Sequence, residues 1–136
     1  IWHAGDIGSI DILNQLHKTS STRAVFGNID GDVLRRETKE YLVFNIESIK
    51  ILMIHIAGSI ESYNSKTKKL IIDNKPDLLV CGHSHILKVA RDRKFNLLHI
   101  NPGAAGKVGF HKEKTIIRFD ISNKKIQNMQ VVKLDN

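Results

Sequence analysis

Two histidines separated by one residue follow a short apolar run in the second half of the chain. Residues 78–81 are Leu, Leu, Val and Cys, and they lead directly into Gly82, His83, Ser84 and His85. The apolar run is typical of a strand buried on both faces, and the glycine lets the backbone turn sharply where the strand ends. Since imidazole is the commonest metal ligand in proteins, the segment favours a metal site. For this spacing alone, a pair of exposed loop histidines without function is an equally good alternative.

Further side chains that can bind a metal follow apolar runs in the first half of the chain. They are Asp6, Asn28 and His55, with Asp30 two residues after Asn28. In open α/β sheets the ligand crevice lies beyond the carboxyl ends of the strands, so these side chains are expected to meet. Mixed carboxylate, amide and imidazole ligands suit Mn, Fe or Zn better than an all-oxygen calcium site.

The hydrophobic pattern predicts the elements that must position these residues. It predicts helices over residues 9–18, with Ser9 as N-cap, and over 61–74. It predicts strands over 1–4, 23–26, 41–46, 50–55 and 78–81, and leaves 33–40 open. Four antiparallel strands are then expected over 86–90, 95–100, 115–119 and 126–132. An α/β half followed by an antiparallel half predicts two sheets packed face to face, with helices outside.

The amino-acid composition limits which class of protein this chain can be. At 136 residues, with 41% hydrophobic and 26% charged residues, the sequence predicts one folded domain over residues 1–136. Neither a spanning apolar segment nor a signal peptide is evident, so we expect no membrane partner and a cytoplasmic protein. The single cysteine, Cys81, is expected to be a buried structural thiol.

The net charge of +7 attracts phosphorylated ligands in general. Nucleic acid is a possible partner but is not favoured, because no stacking aromatic residues are interleaved with the lysines. A homo-oligomer is compatible with the sequence.

Five motifs occur in order along the chain: Gly5-Asp6, Gly27-Asn28 with Asp30, His55, Gly82-His83-Ser84-His85 and Asn101-Pro102-Gly103. Together they resemble the calcineurin-like metallophosphoesterase superfamily, and most of all its small single-domain bacterial phosphodiesterase branch, which is related to a retromer scaffold subunit. The resemblance implies a four-layer α/β/β/α sandwich of two mixed sheets. It also implies hydrolysis of a phosphodiester or phosphomonoester in a small phosphorylated substrate, by a hydroxide activated between two divalent cations. Mn is the favoured cation, with Fe, Zn, Ni or Mg as alternatives.

The resemblance also assigns roles to individual residues. Asp6 would bridge the two cations, Asn28, His55 and His83 would complete one site, and His85 would belong to the other. Asp6, Asn28 and His83 are thereby the expected catalytic residues. Three departures from the family pattern accompany these assignments.

The first departure is that no Asp-x-His motif precedes Asp6. We therefore expect the first strand of the family fold to be absent and the chain to be N-terminally truncated. We also expect the second cation to be held poorly. The second is that Ile29 stands where many members have a histidine as general acid, and isoleucine cannot transfer a proton. Asp30 is expected to orient a ligand rather than to perform chemistry. The third is that Ile56-Ala57 separate His55 from the next glycine, which alters the loop path there. The alternative function is a binding or scaffold module with the same fold and a weak or inactive site.

The remaining histidines are weaker candidates. His3 is expected to be packed in the core, and His17 to lie on the surface near a helix C-terminus. His99 could reach the site through the turn at Asn101, but a functional role is not favoured. His111 is favoured least of all.

Overall fold

The computed structural model describes residues 1–135. Its helices are α1 (Ile10–Thr19), α2 (Asp32–Glu37) and α3 (Ser65–Asn74). Its strands are β1 (Trp2–His3), β2 (Arg23–Ala24), β3 (Tyr41–Ile46), β4 (Ile49–Ile54), β5 (Gly58–Ser59), β6 (Ser62–Tyr63), β7 (Leu78–Val80), β8 (Lys88–Asp92), β9 (Leu97–Asn101), β10 (Lys114–Ser122) and β11 (Lys125–Leu134).

A five-stranded mixed sheet with strand order β3-β4-β7-β9-β8 forms the centre of the fold. The three middle strands are parallel to one another, and the two edge strands are antiparallel to their neighbours. All three residues of β7 are buried, as expected for the strand that leads to His83. The parallel strands place their carboxyl ends, and the side chains that follow, at one edge of the sheet.

A second β layer covers one face of this sheet. It consists of the parallel pair β1-β2 and the antiparallel pair β10-β11. Trp2 joins the layers, because its ring makes edge-to-face contacts with Phe44 of the central sheet at 5.2 Å and with Phe119 of β10 at 5.6 Å. The core between the layers includes the fully buried Val25 and Ile51.

Helices cover the two outer faces. Ile71 of α3 packs against Leu52 and Leu79 on the far side of the central sheet. Leu13 of α1 and Leu34 of α2 pack with Ile7 on the outer side of the β1-β2 pair. The layer order is therefore α/β/β/α, which confirms the predicted fold class. Among residues 1–135, no helix has both the length and the apolar character needed to cross a membrane.

Three local predictions need correction or completion. The helix predicted over 61–74 is α3, and it begins at Ser65. Asn64 caps it by accepting a hydrogen bond from the Thr67 N–H at 2.8 Å. The residues before the cap form a small hairpin of β5 and β6. The antiparallel prediction is confirmed for β8 and β9, but β9 also pairs parallel with β7, which was not predicted; its nearly continuous burial is typical of such an inner strand. The segment left open folds as α2.

Candidate metal centre

Four of the five predicted ligands converge at the carboxyl edge of the strands. Asp6 follows β1, Asn28 follows β2, His55 follows β4 and His83 follows β7. The ligand atoms of Asp6, His55 and His83 all lie within 4.8 Å of one another. Residues that are 77 positions apart in the sequence therefore form one cluster, as the strand ends predict.

The carboxamide oxygen of Asn28 lies between the two imidazoles. Its Oδ1 is 3.0 Å from His55 Nε2 and 3.0 Å from His83 Nδ1. The same His55 nitrogen is 3.3 Å from Oδ1 of Asp6. Carboxylate, amide oxygen and imidazole nitrogen thus surround one small volume.

The backbone determines which nitrogen of His55 faces this volume. Its Nδ1 lies 2.7 Å from the carbonyl oxygen of Ala4, which can only accept a hydrogen bond, so Nδ1 carries the proton in the neutral ring. Nε2 then points a lone pair at the oxygens of Asp6 and Asn28. A cation bound there would satisfy three electron-pair donors at once, and the N–H···O=C bond on the opposite side of the ring is typical of metal-ligating histidine. The residues present therefore fit a divalent metal ion.

The loops that hold the ligands adopt a conformation that is uncommon for non-glycine residues. The φ angle is 56° at Asp6, 66° at His83 and 58° at His85. Left-handed backbone of this kind costs about 1–3 kcal/mol per residue and is concentrated at functional sites. Gly5, with φ of 99°, is required for a second reason, because a Cβ there would lie 2.5 Å from His55 Nδ1.

Asp30 acts on the site through the backbone. It is buried, and its carboxylate accepts hydrogen bonds from the N–H groups of Ile7 at 3.1 Å, Gly8 at 2.9 Å and Gly27 at 2.8 Å. Burial alone would raise the pKa of this carboxyl, but the three N–H donors outweigh it and hold the pKa below its usual value. Asp30 thereby connects the loop of Asp6 to the loop of Asn28, which agrees with the expected orienting role.

His85 is not part of the cluster of Asp6, His55 and His83 within the described residues. Its Nδ1 contacts Nδ1 of His111 at 3.1 Å instead. His111 is the candidate histidine that the sequence favours least, and the path of the loop between β9 and β10 brings it near His85.

The other histidines behave more simply. His17 is exposed in the last turn of α1, and His3 is half-buried. His99 is buried between the Tyr63 hydroxyl at 3.3 Å and the Cys81 sulfur at 3.5 Å. Cys81 is buried as predicted, and burial raises the pKa of its thiol to about 12, so it is a structural thiol.

Two clefts flank the cluster. A cleft of about 560 Å³ is lined by residues that include Asn28 and His55 of the cluster, together with Phe26, Arg35 and Lys66. The Arg35 guanidinium lies 4.6 Å over the Phe26 ring, so this cleft combines an aromatic face with positive charge. A second cleft of about 320 Å³ is lined by residues that include His83, Ser84, Lys88, His99 and Asn101.

Comparison with known proteins agrees with this geometry. Residues 1–124 match the profile of the calcineurin-like phosphoesterase superfamily domain. The chain belongs to this superfamily. A protein described as a probable metallophosphoesterase, from Methanothermobacter thermautotrophicus, is 30% identical over 106 residues, which are 76% of this chain. The chain spans 59% of the length of that relative.

Solved structures show the same fold. An archaeal phosphodiesterase superposes with a TM-score of 0.72 at 20% identity, over 98% of this chain and 81% of the other. Entamoeba histolytica Vps29 complexed with Zn superposes with a TM-score of 0.61 at 16% identity, over 97% and 80%. The calcineurin-like phosphoesterase fold therefore extends over nearly the whole chain.

Proposed function

We propose that this chain is the catalytic domain of a metal-dependent phosphoesterase that hydrolyses a small phosphorylated compound. The observation that carries the proposal is the convergence of Asp6, His55 and His83 around the Asn28 oxygen, with the His55 lone pair directed into the cluster. The superfamily membership and the likeness to an archaeal phosphodiesterase support a hydrolase.

Each residue of the cluster has a role in this proposal. Asp6, Asn28, His55 and His83 would hold a divalent cation, and His85 would help to hold a second one. Bound cations of this kind supply Lewis-acid activation of a phosphoryl group and ionisation of the attacking water. Mn is the cation we favour, and the mixed oxygen and nitrogen donors also suit Fe, Zn and Ni.

Ile29, which lies beside Asp6, affects which leaving groups the site can expel. Ile29 is 67% exposed, and its N–H donates to Asp6 Oδ1 at 3.2 Å, so its side chain stands beside the cluster without a proton to transfer. A substrate with a good leaving group, such as an aryl ester, suits this site best; for other substrates metal-bound water would have to supply the proton.

The rival is a binding or scaffold module with the same fold. The likeness to Vps29 structures favours it. A scaffold would use the clefts or the surface for a partner and would have no need for turnover, whereas an enzyme requires the ligand cluster intact.

Mn-dependent hydrolysis of bis(p-nitrophenyl) phosphate and p-nitrophenyl phosphate tests the proposal. We expect His83→Ala to lower turnover on the order of 100-fold or more, because one imidazole ligand is lost. His17→Ala removes an exposed histidine of α1 and is the matched control, expected to match the parent. Absence of turnover with Mn, Fe, Zn, Ni and Mg alike would reject the enzyme and favour the scaffold.

A further inference from the structure

His85 and His111 form a second histidine pair outside the cluster already described. His85 lies in the loop after β7, and His111 lies in the loop before β10. Both side chains are half-buried, their Nδ1 atoms are 3.1 Å apart, and their rings meet edge to face at 74°. Two imidazoles from segments 26 residues apart therefore direct the same ring nitrogen at each other.

The tautomer of His111 is determined by the backbone. Its Nε2 lies 2.7 Å from the Gly106 carbonyl oxygen, which can only accept, so Nε2 carries the proton in the neutral ring. His111 Nδ1 then presents a lone pair to His85. This is the same second-sphere arrangement that Ala4 provides for His55, and it is typical of histidines that ligate metals.

The spacing of the two nitrogens suits a shared cation. Two nitrogens bound at about 2.0–2.2 Å to one metal lie about 2.8–3.6 Å apart, the shorter distances belonging to adjacent octahedral positions and the longer to tetrahedral ones. The observed 3.1 Å falls in this range. The distance also allows a hydrogen bond from His85 Nδ1–H to His111 Nδ1. Transfer of that proton to His85 Nε2 leaves the net charge unchanged and frees both lone pairs for a cation.

The backbone around the pair is adapted to it. A Cβ on Gly109 would lie 2.2 Å from His85 Nδ1 and 2.8 Å from His111 Nδ1, and Gly109 has φ of 141°. Only glycine therefore lets the loop between β9 and β10 pass so close to the two nitrogens. His85 itself is held in the left-handed region, with φ of 58°.

We propose that His85 and His111 together bind one divalent cation of the borderline class, such as Zn, Co or Ni, with its remaining positions open to water or substrate. Imidazole is a preferred ligand for these metals. The inference rests on the proposed function in one respect, since this cation would be the second of the two that the enzyme uses. His111 would then supply a ligand from a loop that carries none of the five sequence motifs.

Metal content tests the inference without reference to activity. Chelator-treated protein is loaded with Co²⁺, and its bound metal is measured by elemental analysis and by visible absorption, for the parent, His111→Ala, His83→Ala and the control His17→Ala. We expect about two equivalents in the parent and in the control. His111→Ala should lose one equivalent, or bind it at least about 10-fold more weakly, and should keep the equivalent that depends on His83.

The outcomes separate the two proposals. If His111→Ala keeps the metal content and affinity of the parent, His111 only holds its loop in place by hydrogen bonds, and the inference fails. The proposed function is then still supported, provided that His83→Ala loses one equivalent of bound metal. If the parent binds no metal, both fail.

If the His111→Ala protein does not fold, a second measurement tests the inference on the unaltered chain. Histidine ¹⁵N spectra of the unaltered chain are recorded during Zn²⁺ titration. A change at His111 Nδ1 supports the inference, and an unchanged resonance at saturating Zn²⁺ rejects it.

Discussion

Gly27 and Asp6 meet so closely that a Cβ on Gly27 would lie 2.0 Å from the Asp6 carboxylate oxygen Oδ1 and 2.3 Å from the Asp6 backbone nitrogen. No side chain larger than hydrogen fits there. The loop after β2 therefore holds the carboxylate of Asp6 in position by direct contact, in addition to the ties that Asp30 makes.

Gly27→Ala is expected to weaken metal binding on the order of 10-fold or more, because Asp6 or its backbone must move away from the cluster. Overpacking of this kind also costs about 1–3 kcal/mol of unfolding free energy. Mn²⁺ affinity by isothermal titration, together with urea unfolding, measures both effects. Gly31→Ala is the matched control, since a Cβ at Gly31 meets nothing within 4 Å. Equal affinities for the two variants would contradict the role given to this contact.

Asp30→Asn is expected to destabilise the chain by about 2–3 kcal/mol at pH 7, because a buried carboxylate that accepts three backbone N–H bonds is replaced by a neutral amide. The folded-state pKa of Asp30 lies below its ordinary value of 3.8. Its contribution is therefore fully present above pH 3.8 and is lost as the pH falls through the folded-state pKa. Urea unfolding at pH 7, 4.5 and 2.5 measures the difference between parent and variant, which should persist at pH 4.5 and shrink at 2.5.

Asp32→Asn provides the control for this experiment, because Asp32 lies exposed in the first turn of α2. We expect it to change the free energy of unfolding by less than about 1 kcal/mol. A pH-independent difference between the parent and Asp30→Asn would rule out the charged hydrogen bonds as its cause.

His99 should make the fold sensitive to mild acid. Burial lowers its pKa below the ordinary 6.5, and Lys88 lowers it further, while Asp92 opposes the shift. The neighbouring Tyr63 and Cys81 stay neutral in this range, because burial raises the pKa of each. The unfolded chain takes up a proton near pH 6.5 that the folded chain resists, so stability falls as the pH drops below 6.5.

His99→Gln should reduce this loss, which amounts to at most about 1.4 kcal/mol per pH unit for one group. Unfolding free energies between pH 7.5 and 5.5, measured with a chelator so that metal binding does not contribute, give the slope. His3, whose pKa burial also lowers, contributes equally to parent and variant. His17→Gln is the control and should keep the parent's slope; an unchanged slope in His99→Gln would disprove the assignment.

Ile29→His is expected to raise turnover of substrates with poor leaving groups, on the order of 10-fold, because an imidazole beside Asp6 can donate a proton to the departing oxygen. Aryl esters, which need no acid, should gain little. The ratio of kcat/KM for an alkyl and an aryl phosphodiester measures the effect, and the pH profile of the alkyl substrate should acquire a new acidic group. Ile29→Gln has a polar side chain that does not titrate, and an equal gain in that variant would exclude proton transfer.

Much of the site was readable from the sequence because it depends on strand ends. Asp6, Asn28, His55 and His83 each follow an apolar run, and the carboxyl ends of β1 and β2 in one layer meet those of β4 and β7 in the other at the same end of the sandwich. The same logic gave the buried run before His83 as an inner strand, and the α/β/β/α order of layers is confirmed.

Other features depend on contacts that no local pattern encodes. The parallel pairing of β9 with β7 was missed, because a short apolar run does not reveal the direction of its neighbour. The start of α3 at Ser65 was missed because the Asn64 cap competes with a helical reading of the residues before it.

The residue types and their spacing along this chain determined which side chains can bind a metal and that these side chains lie at the carboxyl ends of strands, since both follow from strand periodicity and donor chemistry. Only the tertiary structure decided how closely they meet. The contact of Gly27 with Asp6, the proton placed on His55 by Ala4, and the meeting of His85 with His111 all arise where loops cross one another in space. Loop paths depend on packing across the whole domain, so their contacts cannot be read from any single stretch of sequence.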